Sequence, residues 1–346
     1  MSLTLSVDGD RWRAHLRGFA DATPGLVPVA KGNGYGFTLG RLARKADWLG
    51  VDTLAVGTYE ELPEIANRYA GGLLVLTPWR PFHPTPAPTL AGRVIHTVSR
   101  PDDLAGLLEA QPGARFVLEL ETSMRRHGMT AQQLWAVAKH LRGGGLEGVA
   151  LHLPLASGRH LAEVERLLTD LVAAELPTST VWVSHLTADE LATLRSSYAD
   201  LTVRPRIGTE LWLGDREALR VTATVLDVHR LERGDEFGYR GRSAPRDGHL
   251  LVVSGGTAHG IGLESPMGET GLKARAAVVV RGGMDAMGLT RSPFWVDGKQ
   301  RLFAEPPHMQ ASMLFLPADA AVPEVGDRVD VRVRYTATTF DRVDVS

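Results

Sequence analysis

A chain of 346 residues, 44% hydrophobic and carrying a net charge of −2 with both signs mixed, can bury more than one core and lacks the electrostatic footprint of a nucleic-acid or anionic-membrane partner. No apolar run reaches spanning length and no basic-then-apolar leader opens the chain over Met1 to Asp10, so a cytoplasmic protein acting on small molecules is expected. Zero cysteines exclude a disulfide framework, a thiol nucleophile and a cysteine-based zinc site.

Leu3 to Val7 alternates as a half-buried strand, and Arg11 to Phe19 has helical spacing before the Pro24-Gly25 break. Val27-Pro28-Val29-Ala30 then reads as a buried strand that delivers Lys31 into the glycine-rich run Gly32-Asn33-Gly34-Tyr35-Gly36. An ammonium held in an apolar pocket tends to lose its proton, and the neutral amine condenses with an aldehyde, so Lys31 reads as a Schiff-base lysine. The plainer reading is a strand-end lysine reaching into solvent.

Short β-rich runs recur at Thr53 to Thr58, Gly72 to Thr77, Val94 to Val98, Phe116 to Glu121, Gly148 to Leu153, Val181 to Leu186 and Val203 to Gly208. Between most of them the spacing predicts helices: Thr38 to Leu49, Glu60 to Ala70, Pro101 to Ala110, Ala131 to Arg142, Leu161 to Ala174 and Asp189 to Ser197. The Pro-rich stretch Pro78 to Pro88 stands where another helix would fall. With the lysine strand this makes eight strands, the arithmetic of a TIM-like (β/α)8 barrel, with an open doubly wound sheet as the competitor. Polar residues fall at the C-terminal ends of different strands, where a barrel gathers its active site, and this favours the barrel. Beyond Leu213-Gly214, valine-rich segments separated by glycine turns (Val221 to Val228, His249 to Ser254, Ala274 to Val280, Phe294 to Val296, Val329 to Tyr335) predict a C-terminal all-β domain. The expected division is a barrel over 8–218 and a β domain over 219–346, joined by the N-terminal strand 1–7.

The strand ends carry the candidate chemistry. Glu119 lies in the fifth and Arg126 follows it, and alternating glutamates with paired arginines would ordinarily be a solvated face. His152 ends the sixth, where a lone histidine in an apolar run is more often a core residue. Ser184 and Thr187 bracket the end of the seventh, and Arg206, Gly208 and Thr209 close the eighth.

Taken together, these motifs resemble the alanine racemase family, whose Val-Lys-Ala-Asn-Ala-Tyr-Gly run resembles Ala30 to Gly36, most closely from Lys31 onward. The resemblance implies a homodimeric racemase dependent on pyridoxal 5'-phosphate, with Lys31 bonded to the cofactor and Tyr35 on its phosphate. Met124 to Gly128 resembles the segment that places an arginine on the substrate carboxylate, here Arg126, a task suited to a two-pronged donor. Glu119 stands where many racemases carry a carbamylated lysine, and it brings negative charge without modification. By the same resemblance His152 packs on the cofactor ring, Ser184 or Thr187 supplies a hydroxyl to phosphate, Gly208 and Thr209 offer backbone N–H groups to it, and Arg206 sits at the pyridine nitrogen. Guanidinium does not surrender its proton, so the ring is a weaker electron sink there than beside a carboxylate.

In the β domain Arg233-Gly234-Asp235-Glu236-Phe237-Gly238-Tyr239 resembles the turn whose tyrosine is the second acid/base in the partner subunit's active site. Three segments depart from the family. Ser254 to Gly260 replaces Gly-Tyr-Ala-Asp-Gly, Pro307-His308-Met309-Gln310 stands for Ser/Cys-Met-Asp-Gln with Met309 at the substrate, and Thr338 to Asp341 lies where a phosphate-side tyrosine is usual. They imply a substrate other than alanine or a changed reaction. A decarboxylase of the same fold and a cofactor-binding protein without turnover are the alternatives, the first weakened by the absence of cysteine.

Overall fold

The chain is described by a computed structural model covering residues 2–141, 144–156, 158–263 and 290–346. It divides into two units, Arg13–Gly214 and a second formed by Met1–Trp12 with Asp215–Ser346. In chain order, β1 (Leu3–Val7) and α1 (Gly9–Asp21) lead into parallel strands β2 (Val27–Ala30), β3 (Thr53–Val56), β4 (Gly72–Val75), β5 (Val94–Val98), β6 (Arg115–Leu120), β7 (Leu146–His152), β8 (Thr180–Ser184) and β9 (Thr202–Ile207). Helices α2 (Leu39–Leu49), α3 (Leu62–Ala66), α4 (Pro101–Ala110), α5 (Ala131–Ala138), α6 (His160–Ala173), α7 (Ala188–Ser197) and α8 (Thr209–Leu213) alternate with them. Strands β2 to β9 form a closed barrel, and the register Val27↔Arg206, Pro28↔Ile207 joins last to first. That closure excludes the open sheet.

The barrel interior explains why these strands read as near-continuous apolar runs. Val27, Val29, Ala55, Leu74, Ile95, Val117, Ala150 and Trp182 meet in one cluster, each at most 7% exposed, and the alternate positions Ala30, Leu54, Val56, Leu73, Val75 and Leu118 are buried as well. Side chains on a strand alternate in direction, so the residue two beyond each core position faces the same way at the C-terminal mouth. Those residues are Lys31 after Val29, Gly57 after Ala55, Leu76 after Leu74, Thr97 after Ile95, Glu119 after Val117, His152 after Ala150 and Ser184 after Trp182.

Two connections differ from expectation. The helix expected over Glu60 to Ala70 is a 3-10 turn, Tyr59–Glu61, followed by α3, which carries Pro63 in its first turn and ends at Ala66. The Pro-rich stretch holds only a 3-10 turn at Pro88–Leu90, since proline lacks the N–H a helix needs.

The other unit is β-rich. Strands β10 (Leu219–Leu231), β11 (Glu236–Phe237), β12 (Arg242–Ser243), β13 (Gly248–Ser254), β14 (Arg291–Val296), β15 (Lys299–Phe303), β16 (Ala311–Pro317), β17 (Arg328–Val331) and β18 (Arg342–Val345) follow one another. Among the described residues, all but the β11–β12 hairpin join one eight-stranded sheet in the order β13-β16-β15-β14-β17-β10-β1-β18. The N-terminal strand β1 pairs antiparallel to β10 and parallel to β18. Strand β17 stops at Val331, short of the expected Tyr335, and the strand expected at Ala274 to Val280 lies outside the described residues. Among the described residues no helix is long and apolar enough to cross a membrane.

Candidate active site

Lys31 leaves β2 at the mouth of the barrel, where the chain turns on left-handed backbone at Gly32 (φ 59), Gly34 (φ 62) and Tyr35 (φ 55). Glycine takes that conformation without strain; tyrosine does not, and Tyr35 is held in it by burial. The Lys31 side chain keeps solvent access at the mouth. Desolvation by the surrounding walls nevertheless pulls its ammonium below the ordinary lysine range, Arg126 and Arg206 push the same way, and Glu61 opposes them.

Glu61 is a site residue that sequence reasoning missed. Its Oε1 accepts the Gly32 N–H at 2.7 Å and its Oε2 accepts the Gly57 N–H at 2.7 Å, so one carboxylate ties the lysine loop to the end of β3. Gly57 lies tight against both: a Cβ there would stand 3.0 Å from Lys31 Cβ and 2.9 Å from Glu61 Oε2, so the carboxylate would have to shift. The available signal was the Thr58-Glu61 capping spacing, which reads as helix punctuation and nothing more.

Tyr35 folds back on the last strand. Its hydroxyl lies where a Cβ at Gly208 would go, so residue 208 must be glycine for the two segments to meet. Burial, with the charge of Glu61, pushes the Tyr35 phenol up to about 12. Gly208 and Thr209 stand at the first turn of α8, where backbone N–H groups have no intrahelical acceptor.

Across the mouth, Arg206 is buried and donates from Nη2 to the Leu151 carbonyl at 3.0 Å, while its Nε has no hydrogen-bond partner. Burial pushes this guanidinium down to about 10, Glu119 holding it up and Arg126 lowering it further. Glu119 is 4% exposed, with Oε2 unpartnered; burial raises its carboxyl, and Arg206, Arg126 and Arg80 counter that rise. Arg126 itself is exposed, on a loop pinned at both ends by Glu121 N–H to Met129 O (2.9 Å) and Met129 N–H to Glu119 O (2.8 Å).

His152 Nδ1 and the Ser184 hydroxyl share a 2.6 Å hydrogen bond, and the Thr122 hydroxyl donates to the His152 carbonyl at 2.6 Å. Burial first, then Arg206, Arg126, His185 and Lys31, push the His152 imidazole down to about 3, so the ring is neutral at physiological pH. Its neighbour His185 lies 5.3 Å away ring to ring, on left-handed backbone (φ 63), and is lowered by burial first, then by Arg206, Lys31, His160 and Arg126. Sequence reasoning passed over His185, for which no spacing distinguished it from the strand. Thr187 lies further along: its hydroxyl accepts the Glu190 N–H at 3.2 Å and donates to Glu190 Oε2 at 3.0 Å, capping α7.

The barrel unit therefore gathers Lys31, Tyr35, Arg126, His152, Ser184, Arg206 and Gly208 at one mouth. Tyr239 and Met309 belong to the β unit and are 88% and 73% exposed.

Comparison with known proteins shows the family and the fold. The sequence pattern of the family described as "Alanine racemase, N-terminal domain" matches residues 7–209. The alanine racemase of Dinoroseobacter shibae is 29% identical over 275 residues, 75% of each chain, and that of Nitratidesulfovibrio vulgaris is 27% identical over 287 residues, 75% of this chain and 74% of the other. Among solved structures, alanine racemase from E. faecalis superposes with a TM-score of 0.70 at 19% identity, covering 99% of this chain and 98% of that one. Histidine racemase from Leuconostoc mesenteroides superposes at 0.68 with 17% identity, over 99% and 98%. The match over most of the barrel, together with a closed eight-stranded barrel and an antiparallel β unit, makes this chain a member of the alanine racemase family.

Proposed function

We propose that the protein is a pyridoxal 5'-phosphate-dependent amino-acid racemase that works as a homodimer with shared active sites. The observation that carries this reading is the convergence at one barrel mouth of an amine with a lowered pKa, Lys31, with the Tyr35–Gly208 contact on one side and the buried Arg206 on the other.

The residues present fit the cofactor. Arg206 offers a buried, unpartnered Nε where a ring nitrogen needs a donor, and the Tyr35 hydroxyl with the Gly208 and Thr209 amides forms a cradle that a side chain at 208 would fill. Ser184 and Thr187 hydroxyls already have protein partners, so Tyr35 is the hydroxyl we assign to the phosphate. When bound, pyridoxal phosphate supplies an aldehyde that captures an amine and a ring that spreads the electron pair left at the substrate Cα. Neutral His152 presents an uncharged face to that ring, its orientation set by Ser184. Arg126 holds the substrate carboxylate, with Glu119 as the buried counter-charge to the Arg126–Arg206 pair.

Lys31 moves a proton at one face of Cα, and Tyr239 of the partner subunit moves one at the other. The exposure of Tyr239 and Met309 supports that division of labour, because a side chain serving another subunit must project from its own. The replaced segments around Gly255 to Gly260 and His308 to Gln310 point to a substrate other than alanine. A family neighbour of the same fold is a histidine racemase, so the scaffold accommodates that change. The test is incubation of cofactor-loaded protein with each L- and D-amino acid in heavy water, reading Cα deuteration and chirality. Interconversion of one pair is expected, and borohydride should fix the cofactor to the peptide containing Lys31. Attachment at Lys45, Lys139, Lys273 or Lys299 instead would end the reading.

A further inference from the structure

The exposed tyrosine of the β unit is not a lone surface residue. Its ring lies against His308, centroids 4.6 Å apart and planes at 48°. His308 Nε2 donates to Glu305 Oε1 at 2.5 Å, and the same oxygen accepts the Tyr239 N–H at 3.4 Å. Glu305 is 2% exposed. Gly238, at φ 73, has no room for a Cβ because the Glu305 carboxyl lies against it. The turn is strapped down on its far side too, where Arg242 donates to the Ala304 carbonyl at 3.1 Å and Phe237 packs on Ala304, Leu231 and Leu250.

A carboxylate buried beneath a solvent-facing turn is costly, and for stability alone an apolar residue would serve as well. Here every contact of Glu305 named above falls on the turn that presents Tyr239 or on the imidazole beside it. Because a carboxylate only accepts, Nε2 of His308 must carry the proton, and the imidazole is held in one tautomer and one orientation. An acid that orients a histidine, which in turn contacts a projecting phenol, has the layout of groups arranged around a proton-transfer residue. In the Ser/Cys-Met-Asp-Gln segment that this stretch resembles, His308 takes the Ser/Cys place and Glu305 lies ahead of it.

We propose that Glu305 and His308 form a dyad that positions the Tyr239 phenol, with His308 as the positioning residue and Glu305 as its anchor. This rests on the reading of Tyr239 as one of two acid/bases. An exposed tyrosine free to rotate spends much of its time away from the productive geometry, and misplacement of a reacting group on the order of 1 Å costs about a hundred-fold in rate.

The test separates the two faces of the reaction. Cα hydrogen exchange into heavy water is measured from each enantiomer separately in holoenzyme carrying Tyr239→Phe, His308→Ala, His308→Phe or Glu305→Gln. Tyr239→Phe identifies the enantiomer that depends on the phenol. His308→Ala is expected to slow exchange of that same enantiomer by roughly ten-fold or more, leaving the other within about two-fold. Glu305→Gln, which keeps an acceptor for Nε2, should give a smaller loss with the same one-sided pattern. A purely structural role would slow both enantiomers together, and that result, or no effect of His308→Ala, overturns the inference. If Tyr239→Phe itself slows neither enantiomer, the assignment of Tyr239 falls and the dyad's role with it. An independent readout needs no cofactor: in protein with 13C-labelled tyrosine, the Tyr239 ring signal should be ring-current shifted in wild type and in His308→Phe. It should move to the position of a free tyrosine in His308→Ala. An unshifted signal in wild type would refute the positioning contact regardless of activity.

Discussion

The carboxylate of Glu61 accepts the Gly32 N–H at 2.7 Å and so pins the residue after Lys31 to the mouth of the neighbouring strand. The negative charge also opposes the desolvation that lowers the Lys31 ammonium. Glu61→Gln removes that charge and places an amide N–H against a backbone N–H. Lys31 should then lose its proton at lower pH, moving the midpoint of borohydride-trapped cofactor attachment downward. Folding stability should fall by about 1–3 kcal/mol from the unsatisfied amide. An upward or absent shift of the trapping midpoint would remove Glu61 from the electrostatics of the lysine.

Gly208→Ala tests the phosphate cradle. The added methyl overlaps the Tyr35 hydroxyl, so the phenol must leave its place or the strand must shift. Cofactor affinity, read by fluorescence titration, should weaken about ten-fold or more, equivalent to 1.4 kcal/mol. An unchanged affinity with a normal melting curve would place the phosphate elsewhere.

Arg126→Lys keeps the charge and loses the two-pronged donor. KM for the accepted amino acid should rise by roughly ten-fold or more, with a smaller change in kcat, since ground state and transition state share the carboxylate contact. Steady-state kinetics with an unchanged KM would put Arg126 outside the substrate site.

Subunit mixing tests the shared site. A Lys31→Ala dimer exchanged with a Tyr239→Phe dimer gives heterodimers with one doubly damaged site and one intact site, restoring up to about half of wild-type activity each. If each Tyr239 served its own chain, every site would carry one lesion and mixing would restore nothing, even with exchange confirmed by mass.

His152 predicts a pH signature. Its imidazole is held at about 3 against an ordinary 6.5, chiefly by burial, so between those values the unfolded chain binds the proton and the folded chain does not. The contribution is fully present above about pH 6.5 and is lost as pH falls toward 3, on the order of 2 kcal/mol over the part of that window where the protein stays folded. Urea midpoints followed from pH 7.5 to 4.5 should decline less steeply in His152→Asn than in wild type. Equal slopes would show that the acid sensitivity comes from other groups, buried His96 first among them.

The strand and helix sequence of the barrel was legible because each barrel strand is buried on both faces and reads as a short unbroken apolar run, with amphipathic helices between. Lys31 stood out for a related reason, since a lysine delivered by such a run has no explanation in packing alone, whereas Arg126, His152 and Arg206 read locally as solvated or core residues and were singled out only by the family resemblance. In the β unit the legibility failed locally. Strand β15 went unread because Lys299, Gln300 and Arg301 mask the alternation, although Asp297 (φ 52) and Gly298 (φ 67) form the two-residue turn that announces a hairpin. What only the tertiary structure decided are the meetings of residues far apart in the chain: closure of β9 on β2, Tyr35 against Gly208, Glu61 reaching back to Gly32, and Glu305 under Tyr239. Local sequence sets which way a strand's side chains alternate. Which strands become neighbours, and so which charges share one pocket, depends on contacts that no local pattern encodes.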